Sequence, residues 1–597
     1  MLKPTGKNDY IVLSALYIIM AFICGITWLK WGNLTIDCGR EMYIPAAINE
    51  GKRLYLDLWY PYGPLIPYWN ALLYRLFGTQ LSVLYANGIA VISIIVLTLY
   101  SLSRVFLPIS HSFTIVFAFL LQAFQLNIFN YVLPYSYAAV YGSMFSVVLI
   151  WLLVQNCYKD EPWHIVAAGM ISGMTLLTKI EFGMASYGIL MIAIAIRAFT
   201  NRSVKKFTYD IFLCIPGLLL SIGIYMKLVS ISSFAFIFEE NIAISPKSYF
   251  VKNYGILWPK SLDFTMDVPV LFKSVFVGLS GAVILLACLW IASVYWKARR
   301  TMSILAIGLC FFHLSVAFTS KVLKIDLPSL LLDVAPYFFF NSGLIWMSVI
   351  LLLFTFVTWK NSGYSNRDAA TLIVTIGSIL LGARMLTSMA PTNYPIYYDI
   401  VPYLGWYLAL YRFSGKWQVR PTEKIWRAFN ILICCGLVAI TMSHYGVYRR
   451  PYLLSTARGA IYTEQQKGEA YSQLIDFLTL AKSRSEYFVT MPEDVSLYYF
   501  TATQAPSRWH TITPYTLPPG DLTSRYLDEL DRARIKYVIL SNRSAIEYGT
   551  PLFGIDYNTS IYQWITQKYK VIGQVGVYER VVSPPHWGAL IYQRMGD

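Results

Sequence analysis

Between Ile11 and Tyr445 the chain returns repeatedly to apolar stretches long enough to cross a lipid bilayer. That recurrence limits the fold more than any other feature. In hydrocarbon no water satisfies backbone N–H and C=O groups, so a spanning segment must satisfy its own. Stretches of about 20 apolar residues do so as helices. Of 597 residues, 56% are hydrophobic and only 13% charged, against roughly a quarter charged in a soluble chain. The fold class is therefore a multi-spanning α-helical membrane protein.

The candidate spans are roughly 11–31, 81–107, 111–131, 137–157, 164–178, 183–198, 208–229, 270–296, 301–320, 337–358, 369–387, 399–413 and 428–446, about thirteen in all. Lys3 and Lys7 precede the first, and Ile26-Thr27-Trp28-Leu29-Lys30 lacks a small-residue cleavage pattern, so the first helix is expected to be retained with a cytoplasmic N-terminus. An odd count then places the tail outside. The formal charge of +16 could suggest nucleic acid. Its distribution says otherwise, since the runs 197–206 and 297–300 fall in short loops that the positive-inside rule keeps in the cytoplasm.

The outer loops become 32–80, 132–136, 179–182, 230–269, 321–336 and 388–398. They are aromatic and hold most acidic residues of the membrane half. Polar chemistry on one face argues for an active site at the outer membrane surface, whereas transporters gather polar groups at mid-bilayer. Two stretches of the first loop, Tyr43–Asn49 and Pro67–Phe77, read as amphipathic segments in the interface, anchored by Trp59, Tyr60, Tyr62 and Trp69.

After Tyr445 the composition changes. Tyr487–Thr490 and Lys536–Leu540 read as buried strands, Asp521–Ala533 and Ile561–Tyr569 as helices, and Gln574–Arg580 with His586–Gln593 as a final hairpin. This divides the chain into a transmembrane domain, 1–446, and an extracytoplasmic α/β domain, 447–597. Of the eight cysteines none lies in the tail, so neither a disulfide framework nor a cysteine zinc site is expected. With the retained first helix, this fits a prokaryotic inner (cytoplasmic) membrane.

The first outer loop carries Asp37-Cys38-Gly39-Arg40-Glu41 where the first span ends, then Asp57-Leu58-Trp59-Tyr60-Pro61-Tyr62-Gly63-Pro64-Leu65. A later turn reads Thr178-Lys179-Ile180-Glu181-Phe182-Gly183. Together these resemble the GT-C superfamily of membrane glycosyltransferases, in the branch of protein O-mannosyltransferases and lipid A aminoarabinose transferases. Asp37 matches the acidic residue after the first helix, the Asp57–Leu65 stretch the second loop motif, and the Lys179 turn a variant of Thr-Lys-Gly-Pro. The first position reads Asp37-Cys38 where the O-mannosyltransferases carry Asp-Glu, which weakens the case for a protein acceptor.

The resemblance implies a polyprenyl-phosphate-linked sugar donor, an envelope glycan, lipid or protein hydroxyl as acceptor, inversion at the sugar, and no nucleotide cofactor. Asp37 is then the candidate general base; its alternative is a structural pair with Arg40. Arg40 and Glu41 are candidates to orient Asp37 or bind sugar, and Tyr62 to bind substrate. Asp57 is a candidate to bind the acceptor or to share a divalent cation with Asp37, or else to cap its own turn. A leaving phosphate calls for cations on the outer face, and Lys179 and Arg384 are the candidates, with Lys247 behind them. Glu181 sits beside Lys179 as a binding group or an ion-pair partner. Asn393 and Tyr394 open an aromatic segment suited to a sugar face, and Glu239-Glu240-Asn241 is a weaker sugar-binding candidate. The six histidines show no metal-ligand spacing. The rival classes are a transporter or flippase of lipid-linked sugar and a non-catalytic envelope assembly factor.

Overall fold

The computed structural model describes residues 6–237, 286–294, 343–361, 364–386, 394–447, 450–514, 516–517, 520–546 and 550–596. Among the described residues thirteen helices precede the first strand: α1 Lys7–Thr27, α2 Cys38–Asn49, α3 Leu65–Phe77, α4 Leu81–Ser103, α5 Ile109–Ala123, α6 Tyr137–Lys159, α7 Pro162–Leu176, α8 Ile180–Asn201, α9 Val204–Ile231, α10 Gly343–Asn361, α11 Asn366–Gly382, α12 Ile400–Ser414 and α13 Glu423–Val447, leaving aside the single turn Phe234–Ile237 and the helical stretch 286–294. Seven are long and apolar enough to cross a membrane: Lys7–Thr27, Leu81–Arg104, Tyr137–Lys159, Ile180–Asn201, Val204–Ile231, Leu344–Asn361 and Asn366–Met385. Every candidate span outside 270–320 coincides with a helix. The span 301–320 and most of 270–296 lie outside the described residues.

Small residues set how closely these helices approach, as lipid offers no hydrophobic drive for packing one on another. In α7, Gly169 and Gly173 lie against Cys214, Gly217 and Ser221 of α9, and the Ser221 hydroxyl donates to the Gly173 carbonyl at 2.9 Å. That seam fixes the C-terminal end of α7, which runs directly into Leu177-Thr178-Lys179.

The C-terminal segment begins with a hairpin, β1 Tyr452–Thr456 and β2 Gly459–Thr463, that sequence periodicity missed. Helix α14, Gln465–Ser483, follows. A four-stranded sheet then forms in the order β3-β4-β6-β5, from Phe488–Met491, Tyr537–Ser541, Gly588–Arg594 and Tyr569–Gly576. The β3–β4 pair is parallel, and parallel neighbours need a crossover connection; α16, Asp521–Arg532, lies within it. The final hairpin β5–β6 is antiparallel, but its first strand, Tyr569–Gly576, starts at Tyr569, where the sequence predicts the end of a helix, and stops at Gly576 instead of running to Arg580.

The sheet segment is tied to the first long loop at many points. The Asp494 N–H donates to the Thr35 carbonyl, and the Trp59 N–H to the Arg508 carbonyl at 3.1 Å. The Tyr43 hydroxyl accepts from the Ala505 N–H at 2.8 Å, and Arg458 pairs with Glu50 at 2.9 Å. A short helix, α15 Ser496–Phe500, packs on α2. This contact overturns one sequence expectation. Helix α2 does not lie in an interface with one face wet; all residues from Cys38 to Ala47 are buried. Trp59 and Tyr60 are likewise buried, and the Trp59 ring lies 6.4 Å from that of His510. Helix α3 does keep an apolar exposed face, with Tyr68, Trp69, Leu72, Leu76 and Phe77.

Gly39 is where α2 meets α15. A Cβ there would stand 2.6 Å from the Ser496 backbone nitrogen. Gly39→Val is expected to cost about 1–3 kcal/mol, as overpacking of tight contacts does. Limited proteolysis should then release the sheet segment at lower protease concentration than in the parent. An unchanged cleavage profile and melting temperature would contradict the packing described.

Candidate active site

Asp37 is the residue before α2, and Arg40 and Glu41 lie in that helix's first turn. Arg40 Nη1 donates to Asp37 Oδ1 at 2.8 Å, and its Nε faces Glu41 Oε1 at 3.4 Å. Nη2 donates to the Tyr135 carbonyl at 2.9 Å. The structural pair of Asp37 with Arg40 is therefore present. It uses one carboxylate oxygen, and Oδ2 makes no hydrogen bond among the described residues. Asp37 keeps 30% of its side chain exposed, against 8% for Arg40 and 2% for Glu41. Arg40 thus holds the aspartate and is itself held by Glu41, and Asp37 is the most exposed of the three.

Glu41 is held from a second side, accepting from the Tyr137 N–H at 3.2 Å. Burial pushes its carboxyl up to about 7, with the Arg40 charge opposing. Beneath α2 lies His510, whose ring is 5.6 Å from that of Tyr43. Burial and then the Arg40 charge push its pKa down to about 3, so it stays neutral.

A second charged group stands beside the first. Lys179 precedes α8, and Glu181 is in its first turn. Lys179 Nζ lies 2.8 Å from Glu181 Oε1 and donates to the hydroxyls of Tyr135 at 3.2 Å and Tyr398 at 3.3 Å. The charge of Arg384 also reaches Glu181. Two tyrosines join the groups. The Tyr62 ring has Arg40 at 5.3 Å and Lys179 at 5.0 Å from its centroid. Tyr135 accepts from Arg40 through its carbonyl and from Lys179 through its hydroxyl.

The backbone enforces this meeting. The Gly63 N–H donates to the Thr178 carbonyl at 2.9 Å, and the Leu65 N–H to that of Leu177 at 3.0 Å. A Cβ on Gly63 would stand 2.2 Å from the Leu177 oxygen, so this approach requires glycine. Asp37, Tyr135, Lys179 and Tyr398 all come just before helices, and Arg384 just after one. The cluster is thus built from helix ends and loops.

Asp57 is not brought into this group. Its carboxylate accepts from the Arg53 backbone N–H at 2.8 Å and from Arg53 Nε at 2.9 Å. Those hydrogen bonds hold its pKa below the usual carboxylate range. Each carboxylate faces its own arginine, Asp37 that of Arg40 and Asp57 that of Arg53. Among the described residues no three His, Cys, Asp or Glu side chains gather as a metal site. Asn393, Lys247 and Glu239-Glu240-Asn241 lie outside the described residues, as does the side chain of Tyr394, whose backbone opens the turn Tyr394–Tyr397. Tyr135 is the site residue that sequence reading missed. Its only signal was an aromatic beside Pro134 in a short outer loop.

No family model and no curated protein matches the chain. Solved structures similar to it include the AglB oligosaccharyltransferase of Archaeoglobus fulgidus in complex with an inhibitory peptide and a dolichol-phosphate, at 14% identity and TM-score 0.48, over 90% of this chain and 70% of that one. The Archaeoglobus fulgidus oligosaccharyltransferase in complex with Zn and sulfate gives 14% identity and TM-score 0.49, over 94% and 72%. Apo ArnT from Cupriavidus metallidurans gives 13% and 0.40, over 97% and 98%. At TM-scores below 0.5 the likeness carries no role from their residues to these.

Glu41 gives the site a pH signature. Its carboxyl rises from an ordinary 4.5 to about 7, so the folded protein holds a proton that the unfolded chain releases. That stabilisation is whole below about pH 4.5 and is lost as pH rises through about 7, on the order of 3 kcal/mol. The melting temperature of the parent minus that of Glu41→Gln should therefore fall between about pH 5 and pH 8. A difference that stays flat would contradict it.

Proposed function

We propose that the protein is an integral-membrane glycosyltransferase that moves a sugar from a polyprenyl-phosphate donor to a hydroxyl of an envelope glycan, lipid or protein. The observation that carries this reading is the joining of Arg40, which holds the reachable carboxylate of Asp37, to the cation Lys179 through Tyr62 and Tyr135, with the charge of Arg384 reaching the Glu181 that pairs with Lys179. A base and a phosphate-binding group side by side are what transfer from a lipid phosphate requires. Their place among helix ends and loops supports a site at the membrane surface. It does not suit a path through the bilayer, as a flippase would need.

In this reading the lipid tail lies among the helices and the donor phosphate meets Lys179 and Arg384. The N-termini of α8 and α12 add the positive end of a helix dipole there. Asp37 Oδ2 takes the proton of the acceptor hydroxyl, whose oxygen attacks the anomeric carbon from the face opposite the phosphate. The bond from that carbon to the phosphate oxygen breaks, and the electron pair leaves on the lipid phosphate, stabilised by the cations. Inversion follows from the single displacement. Arg40, anchored by Glu41 and the Tyr135 carbonyl, keeps Asp37 in position. The sugar is a hexose or pentose, and the segment 447–597 covers the site on the extracytoplasmic side of a prokaryotic plasma membrane.

The test is release of sugar from a synthetic polyprenyl-phosphate sugar in the presence of envelope extract. Asp37→Asn should lower turnover about 100- to 10,000-fold, the range for loss of a general base, with thermal unfolding unchanged. Turnover equal to the parent would remove Asp37 from the reaction.

A further inference from the structure

Glu181 has no part in the reaction above, yet it stands against the cation that the reaction needs. Lys179 and Glu181 are 2.8 Å apart with side-chain exposures of 7% and 13%. The Tyr398 hydroxyl donates to the same Glu181 Oε1 at 2.9 Å and accepts from Lys179 at 3.3 Å. Lysine, glutamate and tyrosine thus close a ring. The Phe182 and Tyr398 rings stack 4.5 Å apart and hold that tyrosine in place. Arg384 adds its charge to the same carboxylate.

A cation this far out of water is costly without an anion beside it. A phosphate arriving at Lys179 and Arg384 would supply two or more negative oxygens where Glu181 already supplies one. Like charges brought together in a partly dry site repel strongly. The carboxylate and the phosphate therefore compete for the same two cations.

We propose that Glu181 is the resident counter-ion of the phosphate-binding cations, neutralising Lys179 in the empty site and opposing the lipid phosphate in the filled one. This rests on the reading of Lys179 as a phosphate ligand. The carboxylate keeps a buried lysine tolerable between turnovers. It also weakens the hold on the spent lipid phosphate, which must leave before the next donor enters. Glu181 is in this sense a positioning and release residue rather than a catalytic one.

The experiment uses the full chain in nanodiscs, with undecaprenyl phosphate as probe and undecaprenol as the uncharged control. Glu181→Gln keeps the shape and an acceptor oxygen for Tyr398 and removes only the charge. It should bind undecaprenyl phosphate about tenfold more tightly than the parent, with undecaprenol binding unmoved. In turnover, KM and kcat should fall together, because product leaves more slowly. Lys179→Gln should bind the phosphate at least tenfold more weakly. If Glu181→Gln binds equally or more weakly while Lys179→Gln is weakened, the counter-ion proposal fails and the phosphate site stands. If Glu181→Gln tightens undecaprenol as much as the phosphate, charge is not the cause and the proposal also fails. If Lys179→Gln binds as the parent does, the phosphate reading fails and takes this proposal with it.

Discussion

A guanidinium withdrawn from water must find acceptors for its N–H groups, and Arg40 finds them both beside itself and in a loop 95 residues away. It holds Asp37 on the loop before α2, Glu41 within α2 and the Tyr135 carbonyl before α6. One buried side chain thereby sets where the reachable carboxylate sits relative to the helices. Because Arg40 and Glu41 satisfy each other, α2 can be covered on every side, and the C-terminal sheet segment packs on it directly. The buried cluster also explains why Gly39 and Gly63 have no side chains: both lie where backbone from another element comes within contact of their own.

The sheet segment belongs to the site's architecture for the same reason. Its Asp494 N–H and Arg508 carbonyl reach the first long loop on either side of α2, while β1–β2 brackets that loop's two ends through Leu29 and Leu81. A loop of such length carried by the membrane helices alone would cost considerable ordering entropy. Packed between helices and sheet, it holds Asp37 and Tyr62 in one arrangement.

Much of this was legible in the sequence, and the exceptions share a cause. Asp37, Arg40, Lys179 and Arg384 stand out because charge beside apolar spans is rare and must be paired or used. Strands β3, β4 and β6 announce themselves by their apolar runs. Tyr135 was invisible, being one of 46 tyrosines in a chain where aromatic residues at helix ends are expected anyway. Trp59 and Tyr60 were read as membrane anchors for that same reason. Trp59 is covered by Arg508 and His510 of the sheet segment, several hundred residues away, and Tyr60 packs against Arg40 and Tyr62, and no local pattern records either contact. Asp57 looked like a second functional carboxylate, although Arg53 four residues earlier was its partner all along. The short hairpin β1–β2 has too few residues for its alternation to show, and its place is set by hydrogen bonds to Leu29 and Leu81.

The proposed function requires a lipid phosphate held by Lys179 within reach of Asp37. A cryo-electron microscopy map of the protein in nanodiscs loaded with undecaprenyl phosphate tests that directly. The account predicts phosphate density in hydrogen-bonding contact with Lys179 Nζ, and Asp37 Oδ2 facing the same cavity. Phosphate density elsewhere, or an Asp37 carboxylate walled off from that cavity, would contradict it.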